Sequence, residues 1–407
     1  MNQSRTYDII IWGASGFTGR LVAEYLYKKY GANKELKWAM GGRNEGKLEE
    51  VRAAVADDSV PLVIADSHDE ASLDAMTKRA KVICTTVGPY AKYGAPLVAA
   101  CVKNQTHYCD LAGEPPFIRE MIDKHHDTAK ANGVKIVHSC GFDSIPSDLG
   151  VLYAQEQAKK TYGEYAAKVS MRVHDFAGEL SGGTYASLSN NIEMAMQNRD
   201  ILKVLMHPYG LNPTVEQSGP DTPGIQSVVY DETAKTWIAP FMMEAINTRI
   251  VRRSHALEGF PYGENFSYDE AIKGGDGEEG KKKAQKIAFQ AAALAARPGT
   301  PEKAIMDERM PKPGEGPDQA AREAGYFNCH LYLSLSDGKL AKGIVTGDMD
   351  PGYGSTSKML AESAVCLAKD DLPEMAGILT PATAMGAPLV DRLITNAGLT
   401  FSFEEME

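Results

Sequence analysis

The sequence predicts an α/β chain: an N-terminal domain with a doubly wound parallel sheet, then a second α+β domain whose sheet is mainly antiparallel. Three observations lead there. Strand-like and helix-like segments alternate from residue 7 to about residue 139, as in a parallel sheet with right-handed crossovers. A glycine-rich turn joins the first of those strands to the first helix. Beyond about residue 150, apolar and polar residues alternate singly, which marks strands with one buried and one polar face. A chain of 407 residues has room for more than one core. The expected divisions are 1–150, 151–350 and a segment 351–407 that packs back on the first domain.

Tyr7 to Trp12 is a short apolar run, suited to a strand covered on both faces. Leu21, Val22, Tyr25 and Leu26 then recur at helical spacing between Phe17 and Tyr30. Strands follow at Leu36–Met40, Pro61–Ala65 and Val82–Val87, separated by helices at Lys47–Val55 and Ala71–Arg79. A helix near Pro96–Lys103, a strand near Tyr108, a helix at Phe117–Asn132 and a strand at Val134–Ser139 complete the alternation. In the second part Val169, Met171 and Val173 alternate with Ser170, Arg172 and His174; Phe327 to Leu335 alternates likewise and ends at Asp337-Gly338, a hairpin signal. The stretches His207–Pro223 and Arg297–Pro317 read as loops or mobile covers, and Gly274–Lys283 as a solvated, flexible segment.

Composition narrows the function. A net charge of −11 argues against a nucleic-acid partner, whose phosphates need a positive surface field. No run of about eighteen apolar residues suggests a membrane span, and the N-terminus lacks the long apolar core of a signal peptide. The cysteines at 84, 101, 109, 140, 329 and 366 form no C-x-x-C pair and no zinc-like spacing, so no metal site is expected; buried free thiols and a cytoplasmic location are.

The strongest motif is Gly13, Ala14, Ser15, Gly16, Phe17, Thr18 and Gly19, set between a strand and a helix. Its glycines allow a tight turn, close approach of a pyrophosphate to the backbone, and close helix–strand packing, while the helix start offers free N–H groups. In that context the string reads as the dinucleotide site of a Rossmann domain. A site selective for NAD carries an acidic residue at the tip of the second strand; here the tip runs Gly41, Gly42, Arg43, Asn44. Arg43 can pair with a 2′-phosphate, so NADP(H) is the expected cofactor, the alternative being a surface arginine paired with Glu45. Asp66 can reach the adenine edge or cap a helix, and Val87, Gly88 and Pro89 end the fourth strand where the nicotinamide ribose is expected.

Longer strings carry a family likeness: GASGFTG, TTVGPYAKYGAPLVAAC, DLAGE, CGFDSIPSDLG, INTRIVRRSHAL, PKPGEGP and GILTPATAMG. With these the chain resembles the saccharopine dehydrogenase-like oxidoreductases, and within them the trans-acting enoyl reductases of polyketide-lipid assembly. The resemblance implies NADPH-dependent reduction of a carbon–carbon double bond in a lipidic or polyketide-like intermediate, free or carrier-bound. Ala14 breaks the glycine spacing of true saccharopine reductases, and GFDSIPSD replaces their GLDPGID-like string, so their substrate does not carry over.

For the acid that accompanies hydride transfer, the groups near the expected nicotinamide are Tyr90, Tyr93, Cys140, Asp143 and Ser144. Tyr93, Asp143 and Ser144 are the candidates retained. Tyr93 is alternatively a packing residue, and Asp143, Ser144 and Ser147 alternatively cap a helix. Asp110 and Glu114 read as structural. The N–H groups after Ser181-Gly-Gly-Thr184 can hold a substrate carbonyl or merely begin a helix. Arg249, Arg252 and Arg253 can bind an acidic carrier or simply be solvated. Ile287–Ala296 reads as a packed helix, with lipid contact as the alternative. A saccharopine reductase-like amino-acid dehydrogenase and a non-catalytic NADPH-binding sensor are the competing functions. Peripheral contact with a membrane and a homodimer stay open.

Overall fold

The computed structural model describes residues 5–179, 182–214, 217–312 and 314–406; Ser181 lies outside them. Six parallel strands open the chain: β1 (Tyr7–Trp12), β2 (Trp38–Gly42), β3 (Leu62–Ile64), β4 (Ala80–Thr85), β5 (His107–Cys109) and β6 (Lys135–Val137). Their spatial order is β6-β5-β4-β1-β2-β3, so the chain reverses direction across the sheet between β1 and β4. Every residue of β1 is buried, which is why its sequence has no polar alternation beyond Asp8. Trp12 stands opposite Gly41 on one side and Thr85 on the other. The turns that follow β1, β2 and β4 therefore share one edge of the sheet, at the switch point where open α/β sheets bind ligands.

The second sheet contains β7 (Lys168–Ala177), β8 (Val229–Asp231), β9 (Thr236–Ala239), β10 (Ser267–Gly275), β11 (Tyr326–Ser334) and β12 (Leu340–Gly347). All its pairings are antiparallel except β7 with β10. The inner face carries Val169, Met171, Val173, Cys329, Leu331 and Leu333. Segment 351–407 divides between the sheets. Its helix Thr356–Lys369 packs on β1, β4 and the helix Phe17–Tyr30. Then β13 (Gly377–Leu379) extends the first sheet beside β6, and β14 (Leu399–Met406) extends the second beside β12. The helix Ile145–Tyr162 is buried along most of its length, and one apolar core runs from the first sheet past it to the second.

Three segments differ from the sequence reading. Within 297–317 there is a helix, Pro301–Arg309, started by Thr300, whose Oγ1 accepts from Lys303 N at 3.3 Å, and by Pro301 in its first turn. Residues 274–283 form the end of β10 and the start of the helix Gly277–Leu294; their glycines serve close packing, since a Cβ on Gly274 would lie 2.6 Å from that of Ala284. The described residues of 207–223 form the expected loop, but a pinned one rather than a mobile cover, because Arg252 donates to Pro208 O and to Asp221, and Arg253 to Leu211 O. Glycine and proline density alone does not distinguish a packed turn from a mobile one.

Candidate functional site

At the carboxyl edge of the first sheet, Gly13 has φ +90°, and its N–H and that of Ala14 donate to Gly41 O at 3.0 and 3.1 Å. A Cβ on Gly13 would come within 2.6 Å of Val87 Cγ2, and one on Gly19 would collide with the Gly13 carbonyl. Both positions therefore exclude a side chain. The helix starts at Phe17, so the N–H groups of Phe17 and Thr18 have no helical carbonyl behind them. Gly16, Phe17, Thr18, Gly88 and Pro89 line a cavity of about 820 Å³. Backbone donors, the positive end of a helix and the absence of side chains fit a dinucleotide diphosphate.

Ala14 is buried beneath this turn and Ser15 is half-buried. Arg43 is exposed just beyond β2, and among the described residues it makes no ion pair, with Glu45 or any other group. Asn44 caps the next helix, its Oδ1 accepting from Lys47 N at 3.0 Å. Asp66 accepts from His68 N at 2.9 Å in a turn, while the helix cap is Asp69, which accepts from Ala71 N at 3.0 Å. Arg43, Asn44 and Asp66 lie outside the cavity lining.

Of the candidate acids, Asp143 and Tyr90 line the cavity. The Tyr90 hydroxyl is committed: it donates to Thr85 O and accepts from Leu111 N, both at 3.2 Å. Tyr93 is absent from the lining, and its ring packs edge-on to His68. The Cys140 thiol is buried and also off the lining. Ser144 is buried and donates to Asp143 O at 2.7 Å and to Asn247 Oδ1 at 3.2 Å; it precedes the helix Ile145–Tyr162 but makes no side-chain cap. Asp143 remains, lying over Gly113, and burial, followed by the negative charge of Asp110, pushes its carboxyl up to about 7.

Its neighbours Asp110 and Glu114 are structural. Asp110 accepts from Tyr108 Oη, Ala112 N and Ser139 N, and pairs with His138 Nδ1 at 2.7 Å. Glu114 accepts from Tyr90 N and Ala91 N at 2.9 Å and from Ser187 Oγ at 2.8 Å, joining the first domain to the helix Gly182–Gln197.

Asp143 also lines a second cavity, of about 940 Å³, and the two meet there with Thr184, Met242, Met243, Gly352 and Thr356. Gly183 and Thr184 bring the start of the helix Gly182–Gln197 to this junction. Over the phosphate turn, the Tyr353 ring meets that of Phe17 edge-on at 4.6 Å, and Gly316 fits beside both rings. Arg249, Arg252 and Arg253, which the sequence suggested for an external partner, are buried; each donates to backbone carbonyls, and Arg252 also to Asp221. Neither carrier binding nor solvation describes them. Met242, Met243, Tyr353 and Thr356 escaped the sequence reading, because only the fold brings them to the junction.

Residues 9–137 match the family model of the saccharopine dehydrogenase NADP binding domain. The chain is 38% identical over 410 residues to a protein of Mycobacterium tuberculosis provisionally named a trans-acting enoyl reductase, covering 96% of each. It is 37% identical over 414 residues to the trans-acting enoyl reductase of Mycobacterium ulcerans, again covering 96% of each. In fold it resembles saccharopine dehydrogenase (L-Glu forming) of Saccharomyces cerevisiae, with a TM-score of 0.55 at 10% identity over 98% of this chain and 100% of that one. Among the described residues, no helix is long and apolar enough to cross a membrane.

Proposed function

Because the chain belongs to the trans-acting enoyl reductases, within the saccharopine dehydrogenase-like oxidoreductases, we propose that it uses NADPH to reduce the carbon–carbon double bond of a carrier-bound lipidic acyl thioester. The observation that carries this reading is that the Asp143 carboxyl, pushed up by burial, lies where the dinucleotide-side cavity meets a largely apolar one.

When bound, NADPH supplies a hydride to the β-carbon of the thioester. The chain's own residues hold and orient. The turn Gly13–Gly19 and the N–H groups of Phe17 and Thr18 would take the diphosphate, Arg43 the 2′-phosphate, and Val87, Gly88 and Pro89 would bound the ribose next to the nicotinamide. Asp143, protonated below about pH 7, gives its proton to the α-carbon and regains one from water. Gly183, at the start of the helix Gly182–Gln197, would turn the positive end of that helix toward the thioester oxygen as charge develops there. Arg199 and Arg297 line the dinucleotide-side cavity, are exposed and make no ion pair among the described residues, which suits the phosphates of a carrier arm. Tyr353 and Phe17 shield the phosphate turn from water.

An amino-acid substrate would need cations at the junction for its carboxylates, and the buried arginines of residues 249–253 are already committed. The test is NADPH consumption, followed by absorbance, with trans-2-enoyl-coenzyme A of short and long chains. Turnover is expected, and silence at every chain length removes the proposal.

A further inference from the structure

The larger cavity has no occupant in the scheme above. It leaves the junction at Asp143 and runs between the second sheet and the helices Gly277–Leu294 and Pro301–Arg309. Phe176, Phe241, Leu294, Met306 and Met310 form much of its wall, whereas Lys286, Glu302 and Arg309 are exposed at its rim. Phe289 and Ile305, which also line it, are 77% and 49% exposed. Large apolar side chains left this open on two facing helices mark a surface that something apolar covers. The volume of about 940 Å³ lies at the upper end for small-molecule sites.

Two branches diverging from one acid accommodate a substrate that extends in both directions from its reacting bond. The branch lined by the helix Gly182–Gln197 also carries Arg199 and Arg297 on its wall, where an arm bearing phosphates would find cations. The branch past Met306 offers apolar walls with charge only at its rim. We infer that this second branch is a binding site for the alkyl tail beyond the double bond, so that the enzyme selects long-chain acyl groups and measures their length between Ala293 and Met306. The inference rests on the acyl-thioester reading but can be tested apart from turnover.

Each methylene drawn from water into such a site is worth about 0.8 kcal/mol, or roughly fourfold in affinity. Saturated butanoyl-, octanoyl-, dodecanoyl- and hexadecanoyl-coenzyme A, which cannot be reduced, are titrated calorimetrically into the full-length protein loaded with NADP. Affinity should climb steeply with length and then level off where the cavity is full. Ala293→Trp, which fills the branch from one helix, and Met306→Trp, which fills it from the other, should each bring the plateau to shorter chains while leaving butanoyl-coenzyme A and NADPH binding as in the wild type. The retained NADPH binding reports that each variant is folded. A flat length series, or variants whose plateau does not move, would overturn the inference. Length-dependent binding without any NADPH consumption from enoyl thioesters would instead sink the reductase proposal and leave the tail site standing.

Discussion

The two sides of the cleft are built in opposite ways. On the dinucleotide side, recognition runs through backbone: seven consecutive residues, Gly13 to Gly19, make the turn, and side chains are excluded where they would block it. On the proposed substrate side, the wall is made of side chains from distant segments, with Phe176, Phe241, Phe289 and Met306 all lining one cavity. A diphosphate needs N–H groups in a fixed array, which only contiguous chain can supply. An alkyl chain needs only apolar area, which any set of elements can contribute. Asp143 lies on the seam and belongs to both sides.

The seam should show the largest effect. Asp143→Asn should lower kcat with an enoyl thioester by roughly 10²–10⁴-fold while leaving the NADPH dissociation constant unchanged. In the wild type, kcat/KM should fall as pH rises through about 7, because the acid form is lost, and the variant should lack that limb. A variant within a few-fold of wild type would reduce Asp143 to a wall residue and leave the two sides with no shared chemistry. Next in size is Arg43, the side chain proposed to read the 2′-phosphate. Arg43→Ala should weaken NADPH by roughly tenfold, since charge-assisted hydrogen bonds are partly screened at an exposed site, and NADH hardly at all. Equal losses for both cofactors would mean that backbone alone reads the dinucleotide.

The same contrast explains what could be read in advance. The first sheet was legible because β1 is apolar apart from Asp8 and each of its neighbours is bounded by a turn; the glycine-rich turn was legible because it is short and contiguous. The place of Arg43, just past the tip of β2, could be read for the same reason. Asp143 could be named only as one of several groups near the end of β6, and singling it out took a fact absent from any string: Tyr90, Cys140 and Ser144 are committed or turned away, while Asp143 faces both cavities. The arginines at 249, 252 and 253 misled because three cations within five residues resemble a surface patch, yet on a buried helix each carries hydrogen bonds to backbone carbonyls. The helix Pro301–Arg309 was missed because the prolines and glycines around it outweighed the cap at Thr300. No periodicity in the chain announces that Met306 and Phe241 will share a cavity.

A smaller effect tests whether the substrate side also uses charge. Replacing Arg199 and Arg297 together by Ala should raise KM for coenzyme A thioesters by roughly two- to tenfold with kcat unchanged, the scale expected of exposed cations. Added salt should raise the wild-type KM in the same direction. Unchanged KM would make that side wholly apolar and sharpen the contrast with the dinucleotide turn.

The least effect concerns what holds the seam together. Glu270 is fully buried on β10; its carboxylate accepts from Tyr268 Oη at 2.7 Å and Asn247 Nδ2 at 2.9 Å, and Asn247 in turn accepts from Ser144, next to Asp143. Burial pushes the Glu270 carboxyl up to about 7 from an ordinary 4.5. Between those values the folded chain holds a proton that the unfolded chain has released, so stability falls as pH rises across the window and the contribution is gone above it. Asp143 and Asp148, raised to about 7 by burial as well, act in the same sense. Glu270→Gln cannot ionise, and its amide can still meet Tyr268 with the oxygen and a rotated Asn247 with the nitrogen. The variant should therefore narrow the difference in Tm between about pH 5 and about pH 8 by roughly 1–3 °C, the remaining slope coming from the other two carboxyls. Calorimetric scans at the two pH values decide it: an unaltered difference would mean that Glu270 stays ionised in the folded chain, and that the seam beside Asp143 is held by a charge rather than by a neutral acid.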